Sequence, residues 1–128
     1  MESSYSIHPA ENLVKMRVWG ELTVDGLIDL ITRTGQDPAF DPGMNAVADL
    51  RESHGNWDYS EIQRYRDFVV HVVAGSHKRR WAAVVKPGTL VAVVHITILI
   101  SDEVRDVLEM ELFDEPVRAT RWARGEID

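Results

Sequence analysis

Residues 44–61 read MNAVADLRESHGNWDYSE. The stretch begins as a nearly continuous apolar run through Ala46, Val47, Ala48 and Leu50, the pattern of a strand covered on both faces. It breaks into a polar segment over 51–57 and restarts at Asp58. Glu61, three positions on, completes a capping-box pattern at the entry of a helix. The reading is a central strand over 44–50, a loop over 51–57 and then a helix. In an open α/β sheet, ligands and partners usually sit at the rim formed by the carboxyl ends of the strands. A site is therefore expected in this loop.

Working outward, residues 5–8 form a short extended segment that ends at Pro9, and residues 10–12 a turn. Residues 13–19 alternate, with Val14, Met16 and Val18 on one face and Lys15, Arg17 and Trp19 on the other. That is a half-buried strand, antiparallel to the first segment. Thr23 is placed to cap a helix, with Asp25 in its first turn and an apolar stripe of Val24, Leu27, Ile28 and Ile31. Gly35 is a natural stop for it. Phe40 stands between two turn dipeptides as an anchor into the core. The second helix buries Ile62, Tyr65, Phe68, Val69, Val72 and Val73 and ends at Gly75.

Residues 77–80, HKRR, enter a strand over 81–85. Residues 89–100 are mostly β-branched and locally favour a strand. Two parallel neighbours, however, need a crossover that is usually a helix, so a buried helix is predicted there. A last strand is predicted over 107–113. A terminal helix over 115–124 has Pro116 in its first turn, with Val117, Ala119 and Trp122 available for its inner side. The order is ββαβαβαβα: an α/β domain of about five strands in a mixed sheet and about four helices.

The 128 residues suit one domain, since domains cluster near roughly 100–150 residues. With 45% hydrophobic residues the chain can bury a core, and with no cysteine it has neither a disulfide framework nor a thiol nucleophile. A formal charge of −7 opposes broad binding to nucleic acid. The first twelve residues lack the basic flank and apolar run of a signal peptide. The apolar stretch over 90–100 falls short of a membrane span and is interrupted by His95 and Thr97. A soluble cytoplasmic domain is expected.

Four pieces carry a family resemblance: VWGELTVDGL at 18–27, DPAFDPGMNAVADLR at 37–51, DYSEI at 58–62 and LFDEPVRATRW at 112–122. In this order and spacing the chain resembles the SpoIIAA-like family, whose fold is of the STAS (anti-sigma-factor antagonist) type. The resemblance implies one STAS-like domain over 1–128, a mixed sheet covered by helices, and a non-enzymatic role in interaction or small-ligand binding. In STAS-type switches a serine near a helix start is phosphorylated, and Ser53 and Ser60 lie in the comparable region. This loop reads RESHGNWDYSE in place of an Asp-Ser-Ser-Gly kind of signature. Other proteins of this shape hold apolar or lipid-like ligands between sheet and helix.

The candidate residues follow from position and type. Asp49, inside the apolar strand at the sheet rim, either has a raised pKa or holds a ligand, or else it satisfies backbone donors of the following loop or pairs with an arginine. Ser53, His54 and Asp58 supply a hydroxyl, an imidazole and a carboxylate, but neighbours in a loop seldom assemble a triad. A small hydrolase using Ser53, His54 and Asp49 is the alternative reading. His8, His54, His71, His77 and His95 lack metal-ligand spacing, and no cofactor motif is present. His95, in the predicted helix, would have its pKa lowered by burial. The basic run 78–80 either recognises an anionic group or forms a solvated edge. Trp19 and Trp57 are expected to be partly exposed.

The preferred reading is a binding or regulatory module. It would engage a protein partner or an apolar small molecule through Asp49, Arg51, Ser53, His54, Trp57, Ser60 and His95. A homodimer covering the predicted helix over 89–100 is a further possibility.

Overall fold

In the computed structural model, which describes residues 1–74, 77–86, 104 and 106–128, five strands form one mixed sheet. The strands are β1 (Glu2–His8), β2 (Leu13–Glu21), β3 (Asn45–His54), β4 (Arg79–Val84) and β5 (Leu108–Phe113), and they lie side by side in that order. β1 is antiparallel to β2, and every later pair is parallel. The β1–β2 connection is a short 3-10 turn over Pro9–Glu11 that ends at Asn12, with φ 53°. Asparagine tolerates that left-handed conformation better than most side chains.

Three helices are described: α1 (Val24–Gln36), α2 (Tyr59–Val73) and α3 (Pro116–Ala123). The Thr23 side chain accepts from the Gly26 N–H at the start of α1, and Asp58 and Glu61 form the reciprocal capping box of α2. At α3, Glu115 accepts from the N–H groups of Val117 and Arg118. Each cap satisfies donors that the first helical turn leaves unpaired. The helix predicted over 89–100, with His95, lies outside the described residues, as does Gly75. None of the described helices is long and apolar enough to cross a membrane.

The sheet has two unlike faces. α1 and α2 both pack on one of them, burying Val24, Leu27 and Leu30 of α1 and Val69 and Val73 of α2 against Val18, Leu50 and Leu108. Side chains of this size each contribute about 1.5–3 kcal/mol when fully buried. α3 covers part of the other face, where Ala119, Trp122 and Ala123 meet Leu13, Val47, Ala82 and Val84. β3 therefore sends Val47 one way and Leu50 the other, which is why its sequence reads as a continuous apolar run. Val117 is 67% exposed instead of facing inward. At about 100° per residue it points away from the 119–122–123 stripe.

β3 is longer than its apolar run. It continues through 51–54, the first part of the expected loop, because β2 keeps pairing with it as far as Glu21 opposite His54. The register shifts on the way, from Arg17 opposite Asp49 to Trp19 opposite Glu52. β3 thus carries one extra residue there, a β-bulge.

Candidate functional site

The segment after β3 closes on the protein itself. Trp57 is 8% exposed, not a partly exposed ring. Its indole N–H donates to the Leu22 carbonyl at 3.0 Å, and its ring meets Tyr65 edge-on with centroids 5.4 Å apart. The Leu22 N–H in turn donates to the His54 carbonyl at 2.6 Å. Ser53 is 2% exposed, and its hydroxyl donates to the Leu50 carbonyl at 2.6 Å. The Asp58 carboxylate accepts from the Glu61 N–H and the Ser60 hydroxyl, both at 2.8 Å, which holds its pKa below the ordinary Asp value. His54 and Ser60 are exposed. The Ser53 hydroxyl and the Asp58 carboxylate are thus engaged in separate local bonds, neither of them with the His54 imidazole.

Asp49 and Arg51 sit on the α3 side of the sheet and remain partly exposed. The Arg51 guanidinium donates to both Asp49 carboxylate oxygens, at 3.0 and 2.7 Å, and the Arg51 N–H adds a third bond at 3.1 Å. The Asp49 pKa is accordingly lowered, chiefly by the Arg51 side chain, although partial burial opposes it. This is the arginine-paired alternative and not a carboxyl of raised pKa. Arg17 joins the same face, pairing with Glu52 at 3.0 Å and lying over the half-buried Trp19 ring at 5.1 Å. The bulge in β3 is what carries Glu52 to Arg17. The result is a set of locally neutralised charges.

The other side of the sheet is built differently. Between it and α1 and α2 lies a cavity of about 370 Å³. Its sheet side carries Val14, Met16, Ala46, Ala48, Trp81 and Met110, and its helix side Leu27, Leu30, Ile31, Tyr65 and Val72. Phe40, Pro42 and Met44, from the segment before β3, line it as well. Phe40 therefore does reach inward. Ala46, Ala48 and Ala83 leave room that larger residues in these strands would fill. Burial raises the Tyr65 phenol to about 12, so it stays protonated.

Arg79 breaks this apolar lining. It is 5% exposed, and its Nη2 is buried without a hydrogen-bond partner. Its Nε donates only a long bond, 3.4 Å, to the His77 carbonyl. Burial pushes its pKa down, and no carboxylate among the described residues acts to raise it. Strand alternation explains how it comes to be there. Arg79, Trp81 and Ala83 share one face of β4, and Trp81 and Ala83 pack with the α1/α2 core. Arg80 points the opposite way, over the Trp122 ring at 5.0 Å, and donates to the carbonyls of Trp122 and Ile127.

The basic run is therefore split between the two faces, and one of its arginines is buried. Counting alternation backward from Trp81 would have found Arg79. The charges around it concealed that phase. Arg79 also starts its strand, so the charge lies at the end of the sheet opposite the rim where a site was expected. Comparison with models of known families, with curated proteins and with solved structures gives no match.

Proposed function

We propose that the protein is a non-enzymatic, SpoIIAA-like binding module of STAS type that encloses a small apolar molecule between α1, α2 and the sheet. The observation that carries this reading is the cavity of about 370 Å³, with its predominantly apolar lining. Small-molecule sites are mostly apolar hollows of roughly 300–1,000 Å³ with a few placed polar groups. The mixed sheet and the capped helix at DYSEI support the family reading, and the cysteine-free sequence suits a cytoplasmic setting. The burial of Ser53 and the use of Asp58 as a helix cap weigh against the hydrolase reading. The burial of Trp57 removes the aromatic that a protein partner would have met in the loop.

The test is titration with a naphthylamine dye that brightens in apolar surroundings. Wild-type protein is expected to bind it saturably at one site. Ala48→Phe, which fills the sheet side of the cavity, is expected to weaken binding by about tenfold or more with an unchanged far-ultraviolet circular dichroism spectrum. Absence of dye binding, or equal binding by the folded variant, overturns the reading.

A further inference from the structure

A buried arginine with no counterion among the described residues is an unusual feature to find lining an apolar hollow. Arginine stays charged in proteins, and a buried charge is costly unless paired. Ordinary structural arginines of this chain show the contrast. Arg51 has Asp49, Arg17 has Glu52, and Arg80 has two carbonyls, a ring and Glu109 at 3.6 Å. Arg79 has one long bond to a carbonyl and a buried, unpartnered Nη2.

The described lining residues include one other charged side chain, Glu111. Glu111 is exposed and alternates with Leu108 and Met110, which pack in the α1/α2 core, so its carboxylate belongs to the opposite face of β5. The described lining of the cavity thus presents one positive charge at one end of an apolar space. With a chain charge of −7, general attraction does not draw anions in. A local partner for Arg79 must do so.

We infer that the ligand is an amphipathic monoanion, an apolar chain ending in a carboxylate, with the carboxylate held by Arg79 where β4 begins. This deepens the cavity reading and rests on it. A guanidinium suits a planar carboxylate because its parallel N–H groups match the two oxygens. A single cation balances a single negative charge. The apolar chain then lies along Ala46, Ala48 and Trp81, between the sheet and Ile31 and Val72.

The experiment compares dodecanoate with dodecanol, two probes of equal chain length, by isothermal titration against wild type, Arg79→Met and Arg79→Lys. Wild type is expected to prefer the acid by about tenfold or more. Arg79→Met is expected to lose that preference while still binding the alcohol, and Arg79→Lys to keep part of it. Equal affinity of wild type for acid and alcohol overturns the carboxylate assignment and leaves the cavity reading standing. Failure of wild type to bind either probe overturns both. The wild-type comparison needs no variant to fold, so the inference is decided even if Arg79→Met is unstable.

Discussion

Trp57 donates its indole N–H to the backbone carbonyl of Leu22, 35 positions earlier, at 3.0 Å. Leu22 is held from both sides, since its own N–H donates to the His54 carbonyl. The segment after β3 therefore wraps around the residue that leads into α1. The bond turns a tryptophan that looked like an interface residue into part of the core.

Trp57→Phe keeps most of the ring volume and removes the N–H. The buried Leu22 carbonyl then loses a partner, which costs about 1–3 kcal/mol. Urea unfolding should show that loss with the folded spectrum retained. A variant as stable as wild type would mean that the indole N–H has no structural role.

Gly55 has φ +151°, and a Cβ built on it would lie 3.0 Å from the Leu22 carbonyl oxygen. Gly55→Ala combines an unfavourable backbone region with a close approach to main chain that cannot swing aside. A loss of about 1–3 kcal/mol is expected from strain of this kind, read as a lowered midpoint in thermal unfolding. An unchanged midpoint would contradict the tight closure of this loop.

Asp49 gives a pH dependence of definite sign. Its pKa is lowered in the folded state, first by the Arg51 side chain, so the unfolded chain binds the proton more readily. The contribution is present above the ordinary Asp value of 3.8 and is lost as the pH falls through the lower folded value. Asp49→Asn should lower the urea midpoint slightly at neutral pH, less so in added salt, and by a vanishing amount in acid. The effect is small because the pair is partly exposed and screened. A difference that grew on acidification would mean a carboxyl of raised pKa.

Arg79→Met should leave the ligand-free protein at least as stable as wild type. Replacing a buried charge that no described carboxylate pairs with by an apolar chain is neutral or stabilising, in the manner of buried ionic groups replaced by hydrophobic ones. Delipidated protein in a thermal melt is the measurement. A loss of about 3 kcal/mol or more, the cost of breaking a buried pair, would show that Arg79 has a structural partner and would weaken its assignment to a ligand.

Local chemistry made much of the fold legible. Thr23, Asp58 and Glu61 act within one helical turn, and the alternation of Val14, Met16 and Val18 is a property of one strand. The apolar run of β3 announced its burial on both faces. What lay beyond reach depended on distant neighbours. Trp57 is buried by Leu22, and the extension of β3 through His54 is imposed by β2. The paired state of Asp49 was among the readings its position allowed, but only the side-chain geometry selects it. Arg79 was hidden for a different reason. Its charge suggested solvent, while its strand phase, set by Trp81 and Ala83, put it inside.

Occupancy of the cavity is the central claim, and native mass spectrometry of the protein purified from its own host tests it most directly. Wild type should carry an added mass matching one bound organic acid. Ala48→Phe should lose that mass, and Arg79→Met should lose it or exchange it for a neutral lipid. The bare polypeptide mass in wild type, under conditions gentle enough to keep a known lipid carrier loaded, would contradict the account.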